Sequence, residues 1–511
     1  MKAILILGLC AAGGLMAADM PSAIFDVRSF GAKGDGVAVD TAAINKAIDA
    51  AHTAGGGTVY LSAGTYLSGS IHLRSNVALF LGQGSTILAT SDPLAYDEPE
   101  PNQWDKLQDY GHSHFHNSLI WGEGLENVSI LGPGRIWGKG LVRSQRAPQP
   151  GQRQVGNKAV VLKQCRNVVL RDFSILMGGW FGILATGVDN MTVSNLKIDT
   201  NRDGMDIISC RNVRISDCTV NSPYDDGICL KSDYSLGFAR ATENVTITNC
   251  QVSGYDNGTL LDGTYGKKQV YNNAGANAGP TGRIKFGTES NGGFKNITIS
   301  NSVFDHCRGL ALETVDGGLL EDVTISNVTM REIFNSPIFL RLGSRMRAPE
   351  GTPVGVLRRV NISNFVVYDA DSRYASIISG VPGHDIEDVK LNNIRIFYSG
   401  GGTKEQAAIV PPEAENGYPE PRMFGLIPAY GFFLRHVKGI ELNDVQVSYL
   451  KEDLRPAFHL QDVKDVEFNH VKAQHAANVP TFMLNSVENL VVQASPGIPD
   501  IKLNSADRKE F

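Results

Sequence analysis

The chain has 511 residues, 42% hydrophobic and 20% charged, so it carries material for a large core and fits neither a disordered chain nor a multi-span membrane protein. Its 55 glycines exceed the usual share of about 7%, yet no G-X-Y period occurs, which excludes collagen and points to many tight turns. A net charge of −6 supplies no basic field for nucleic acid, and at about 150 residues per domain the length predicts roughly three domains.

Residues 1–18 predict an export leader, with Lys2, the apolar run Ala3 to Leu15, and then Ala17 and Ala18. That run is too short to span a bilayer and no later stretch is long enough, so a periplasmic or secreted protein without membrane insertion is expected. Residues 19–90 read as an N-terminal cap and first coils. Asp40 to His52 predicts a helix, with apolar positions recurring at three and four, Asp40 as N-cap and Gly55 to Gly57 as the stop. Thr58 to Tyr66 reads as hairpin-like. His112, His114 and His116 alternate, so a strand would place them on one face. No nearby acid or cysteine completes a zinc set, and exposed cleft histidines without a metal are expected. Trp104, Trp121, Trp137, Trp180, Tyr224, Tyr234 and Tyr255 are aromatic candidates for core packing or for stacking on a ring.

From residue 91 to 511 one tetrad recurs: Asn or Asp, an aliphatic residue, any residue, and a second apolar residue. It occurs as Asn127-Val-Ser-Ile, Asn167-Val-Val-Leu, Asn190-Met-Thr-Val, Asn212-Val-Arg-Ile, Asn244-Val-Thr-Ile, Asn296-Ile-Thr-Ile, Asp322-Val-Thr-Ile, Asp388-Val-Lys-Leu, Asp465-Val-Glu-Phe and Asn489-Leu-Val-Val. Alternation over four to six residues predicts strands, and the leading Asn or Asp predicts turns. The shortest spacings, 22 to 26 residues, are a solenoid period and too short for a propeller blade of about 40–45 residues. The predicted fold is all-β, a single-stranded right-handed parallel β-helix with a capping helix, forming one continuous domain with its cap. Asn127, Asn190, Asn244, Asn296, Asn327 and Asn361 begin glycosylation sequons, but their place in the repeat predicts turn asparagines. Cys165, Cys210, Cys218, Cys229, Cys250 and Cys307 show no metal spacing and are expected to be buried free thiols, with a Cys218–Cys250 disulfide as the alternative.

The repeat also predicts a site. Asp203 follows Asn190 by 13 residues and Asp225 follows Asn212 by 13, so the two are expected at equivalent positions on neighbouring coils, about 5 Å apart at Cα. Asp226 and Asp206 crowd the same patch. Such like charges raise one another's pKa. Acid/base chemistry and a calcium site both explain the crowding.

Asn201-Arg-Asp-Gly-Met-Asp206 and Asp225-Asp-Gly-Ile-Cys-Leu-Lys-Ser232 resemble the paired signatures of glycoside hydrolase family 28, the polygalacturonase-like pectinases. Phe30-Gly-Ala-Lys-Gly-Asp-Gly36 is similar to the cap of pectin-active, pectin-lyase-like solenoids. The resemblance covers roughly residues 25–450. It implies an inverting hydrolase of α-galacturonosyl linkages that needs no cofactor and acts as a monomer on a pectic polysaccharide or oligosaccharide. Asp225 would be the general acid with a raised pKa, and Asp203 and Asp226 would activate water. An inverting pair is expected about 6.5–9.5 Å apart. Asn201 and Lys231 join the substrate-binding set.

The family's Gly-His-Gly stretch corresponds to Gly279-Pro-Thr-Gly-Arg-Ile-Lys285, with Thr281 at the histidine. Its Arg-Ile-Lys motif corresponds to Gly309-Leu-Ala-Leu-Glu-Thr314, where Ala311 and Glu313 stand at the cations. Glu313 would repel a galacturonate on the leaving side, so a rhamnogalacturonan-hydrolase-like variant is expected, with exo- or endo-polygalacturonase as the alternative. Arg283, Lys285, Arg341 and Arg345 are the candidates to hold a carboxylate, and Glu313 would pair with Lys231 or Arg308. A calcium-dependent pectate lyase and a non-catalytic polysaccharide-binding solenoid are the rival classes. Inserts 251–283 and 397–425 would favour exo action if they block the groove.

Overall fold

A computed structural model describes residues 23–143, 153–267 and 279–511. The expected leader, residues 1–18, lies outside them. The tetrads become strands stacked in parallel, and each coil adds one rung to three columns. One column runs through Lys158–Lys163, Phe181–Thr186, Asp203–Ile208 and Ile228–Ser232. The second contains Arg166–Arg171, Asp189–Ser194 and Arg211–Ser216, and the third Ser174–Leu176, Lys197–Asp199 and Thr219–Asn221. No coil can bury its apolar side alone, so the rows close on one another. The aliphatic residue of each tetrad forms one such row, through Val168, Met191, Val213, Val245, Ile297, Val323 and Val360, each about 1% exposed. One hydrophobic cluster runs from Val27 to Ala506.

The tetrad asparagines turn the corner. Asn127, Asn167, Asn190, Asn212, Asn244 and Asn296 all have φ between 55° and 57°, a left-handed conformation that asparagine tolerates. Their side chains form a ladder, each amide donating to the Oδ1 one coil back, at 2.7–3.2 Å. All six cysteines of the described residues are buried and free. Cys218 and Cys250 donate to the Ser216 and Thr248 carbonyls, so the disulfide alternative is not formed.

The capping helix spans Thr41–Thr53 and buries Ile44, Ala47, Ile48 and Ala51. Asp40 precedes it but does not cap it through its side chain. Its carboxylate accepts from the Lys33 and Gly34 amides instead, at 2.7 and 3.0 Å, and so ties down the Phe30–Gly36 turn. The expected hairpin at 58–66 is also corrected. Gly57–Leu61 and Gly64–Ser68 pair in parallel with other coils, as two sides of one rung. At the far end Ile501–Glu510 pairs antiparallel with Phe482–Gln493 and covers the last parallel edge.

Candidate active site

The site lies on the first column, where Asp203–Ile208, Ile228–Ser232, Ile284–Ser290 and Leu310–Thr314 follow in register. Lys197 pairs with Thr219, but Met205 pairs with Ile228, so the later coil has gained one residue after Asn221. The register therefore sets Asp203 opposite Asp226, and the Gly204 amide bonds the Asp226 carbonyl at 3.0 Å. The insertion falls within residues 222–225, and Asp225, at its end, stands at the mouth. This corrects the predicted Asp203–Asp225 equivalence. The stacking requires Gly204, because a Cβ there would lie 2.3 Å from the Gly227 carbonyl.

Oxygens of Asp203, Asp225 and Asp226 come within 4.8 Å of one another. The charge states also differ from expectation. Burial, and then the charges of Asp225 and Asp206, push Asp203 well above the usual carboxylate range. Burial would raise Asp226 as well, but Lys285, Arg283 and Lys231 bring it down to about 2. A raised carboxyl is thus found at Asp203, one of the two expected to be ionised. Asp225 accepts from Arg202 at 2.7 Å, and the Arg202 guanidinium lies 3.0 Å above the Trp180 ring centre.

Most of the expected substrate cations are used internally. Arg283 donates to Asp226 at 2.9 Å and also to Glu420. Lys285 lies 3.5 Å from Asp226 and 3.4 Å from Glu313. Arg341 is fully buried and donates to the Ser379 hydroxyl and the Gly380, Glu413 and Ala414 carbonyls. Arg345 pairs with Asp316. Arg341 and Arg345 are therefore struts rather than carboxylate holders. Lys231 sits beneath the floor, 3.2 Å from Asp206 and 3.5 Å from Glu289. Asn201 directs a buried Oδ1 that has no hydrogen-bond partner.

Glu313 is fully buried and pairs with Lys285, not with Lys231 or Arg308. Burial outweighs the pull of Lys285 and Arg283 and raises it to about 8. It faces no substrate and carries little charge at neutral pH, so the predicted repulsion of a galacturonate is removed.

The histidine stretch is not a strand: His112 lies on a short helix, Tyr110–Ser113, and His114 and His116 follow it in a loop. His112 is 2% exposed and bonds Asp206 at 2.9 Å through Nε2, beside Lys231. His114 stacks on Tyr110 and His116 on Trp121. The expectation of exposed histidines fails because the 92–119 loop folds down onto the sheet.

A segment over 401–431 lies across the same face as a strap. Arg341 and Arg435 hold its backbone, and Phe424 and Ile427 pack on Ala311, Phe339 and Phe433. It brings Tyr418, Glu420 and Arg422 to a cavity of about 190 Å³ that Asp225, Asp226, Thr281 and Arg308 also line. Sequence reasoning missed these strap residues and Arg202. Arg202 lies inside the quoted Asn-Arg-Asp motif and was open to detection; the strap residues are joined to the site only through space. The three aspartates make a poor calcium set as they stand, since Arg202, Arg283 and Lys285 already match them.

Residues 153–275 match the family described as "Right handed beta helix region". The chain is a right-handed parallel β-helix. Residues 24–93 match "Rhamnogalacturonase A/epimerase, pectate lyase-like". A probable polygalacturonase of Vitis vinifera is 23% identical over 73% of this chain and 74% of its own length. The family 28 exopolygalacturonase of Yersinia enterocolitica superposes with a TM-score of 0.64 at 18% identity, covering 89% of this chain and 79% of that one. The exopolygalacturonase of Thermotoga maritima gives 0.59 at 19% identity, covering 96% of both.

Proposed function

We propose that the chain is a glycoside hydrolase that cleaves α-galacturonosyl linkages in a pectic polymer. One observation carries this: Asp203, Asp225 and Asp226 bring oxygens within 4.8 Å of one another beside one cavity, where burial pushes Asp203 toward neutral and Lys285, Arg283 and Lys231 hold Asp226 ionised. That is the arrangement acid/base hydrolysis needs. Burial and the neighbouring charges of Asp225 and Asp206 keep a proton on Asp203. Asp225, at the mouth, passes it to the leaving oxygen as the C–O bond breaks. Asp226 takes a proton from water as the water oxygen bonds the anomeric carbon. The polygalacturonase-named relatives support the substrate class.

With Glu313 buried, the electrostatic case for a neutral leaving-side sugar falls, and homogalacturonan becomes the favoured polymer. Thr281 in the cavity, where the family has histidine, keeps rhamnogalacturonan as the second reading. The strap across the sheet favours attack at chain ends. Product analysis on both polymers tests the proposal. Saturated mono- or dimers from homogalacturonan, unaffected by chelator, are expected. An ultraviolet-absorbing unsaturated product would indicate a lyase, and no cleavage of any pectin a binding protein. NMR of the first-formed anomer tests inversion, which the family resemblance implies; a retained anomer would overturn that step.

A further inference from the structure

We infer that Asp385, His436 and Asp462 form a binding site for a divalent transition-metal ion of the zinc class, which latches the strap to the sheet through Glu413. The site does not depend on the hydrolase reading. It comes from the repeat itself. Ile386 pairs with Val437, Arg435 with Gln461 and Val437 with Val463, so Asp385, His436 and Asp462 hold the same corner on three successive coils. Stacked corners lie about 4.8 Å apart. One imidazole nitrogen and one oxygen from each carboxyl come within 4.8 Å of one another there. An imidazole between two carboxylates suits zinc and its neighbours, whereas calcium and magnesium prefer oxygen alone.

His436 is buried, and each of its ring nitrogens faces a carboxylate. Nδ1 lies 2.6 Å from Asp462 and Nε2 3.0 Å from Glu413. A neutral imidazole has one N–H, so one of these carboxylates meets a lone pair unless a positive charge is supplied. A metal on Nδ1 supplies it and leaves the Nε2 proton for Glu413, the arrangement in which an outer acid orients a metal-bound histidine. Bonds of ~2.05 Å at tetrahedral angles set ligand atoms ~3.3 Å apart, so Asp462, with its side chain 38% exposed, draws back by ~0.7 Å. Lys464 stands beside the two aspartates, 3.5 Å from Asp385 and 4.0 Å from Asp462, on a stem exposed enough to swing away. The cluster of Asp109, His112 and Glu289 differs, because the Arg347 guanidinium already fills it, 2.7 Å from Asp109 and 3.4 Å from Glu289. Glu413 belongs to the strap, and Arg435 also holds its carboxylate at 3.2 Å. The metal therefore ties strap to sheet five rungs beyond Ile228–Ser232. At ~24 Å along the axis it is too far from the aspartates to touch a bond cut there.

Calorimetric titration of the untagged chain with zinc chloride, after chelator and dialysis, tests the site. One zinc per chain is expected. D462N and H436Q should each weaken binding ~100-fold, and E413Q ~10–100-fold, as loss of an outer acid predicts. K464A should bind more tightly, because the competing ammonium is gone; a gain of affinity cannot come from misfolding. Circular-dichroism spectra check that the other variants fold. Zinc at ~100 times its Kd should raise the melting temperature of wild type by ~3 °C and leave that of D462N unchanged. Cleavage of pectin at 25 °C should be the same with and without chelator, since the ion holds the strap and not the substrate. A wild type that takes no zinc and carries protons on both His436 nitrogens by NMR overturns the site. Zinc binding that is unchanged in D462N and H436Q, or no tighter in K464A, overturns it as well.

Discussion

Replacing Glu313 by Gln separates the cost of burying a charge from the gain of pairing it. Glu313 has both carboxyl oxygens buried without a hydrogen-bond partner, Lys285 at 3.4 Å and Arg283 at 4.0 Å. Burial wins and raises the carboxyl from 4.5 to about 8. A folded value above the unfolded one gives stability that is complete below pH 4.5 and is lost as pH rises through 8. At 1.36 kcal/mol per unit, about 3 kcal/mol has gone by pH 7 and about 5 kcal/mol above pH 8. Gln has the shape of the protonated acid and no charge to bury. E313Q should therefore melt with wild type at pH 4.5 and above it at pH 9. An unfolding entropy of ~1 kcal/mol/K for a chain of about 500 residues converts the difference to ~3–5 °C at pH 9. Calorimetric scans at pH 4.5, 7 and 9 and constant ionic strength measure it. A variant that melts below wild type at pH 9 would show that Glu313 is ionised and that its bond to Lys285 outweighs burial, which would refute the reasoning. KM for galacturonan at pH 7 should be unchanged, because a neutral buried Glu313 repels nothing.

Two further outcomes are expected. D203N, D225N and D226N should each lower kcat ~10²–10⁴-fold with substrate binding retained; D226N should also lower the melting temperature, since it leaves Arg283 and Lys285 undercompensated, and full activity in any of the three would remove that residue from the chemistry. N212A should cost ~1–2 kcal/mol, because alanine is strained at φ +56° and the ladder loses its contacts to Asn190 and Asn244; chemical denaturation measures it, and kcat should not change.

The columns were legible in the sequence because a parallel solenoid repeats its physics. Every coil needs the same inward aliphatic residues and the same left-handed corner, so the Asn-aliphatic tetrads announce both at once. The capping helix was legible from its apolar spacing. Corners that do not repeat were not legible. Thr58 to Tyr66 has hairpin chemistry at its turn, but its two strands find partners in other coils. Asp40 has the composition of an N-cap, but the turn at Lys33 and Gly34 offers its carboxylate two amides.

The site was legible as a cluster and illegible as a circuit, for one physical reason. Counting from the tetrads found Asp203, Asp225 and Asp226, but a single inserted residue after Asn221 exchanged which aspartate faces Asp203, and no strand pattern reports a turn insertion. The charges followed the same rule. Arg283 looked free to hold substrate until Glu420, 137 residues later, came to rest against it, and Glu313 looked hostile to substrate until burial placed it behind Lys285. A sequence states which charges exist; only the packing states which are already matched. Subtracting the matched ones takes Arg283, Lys285, Arg341 and Arg345 out of substrate recognition, because each is already held by an acid or a carbonyl of this chain.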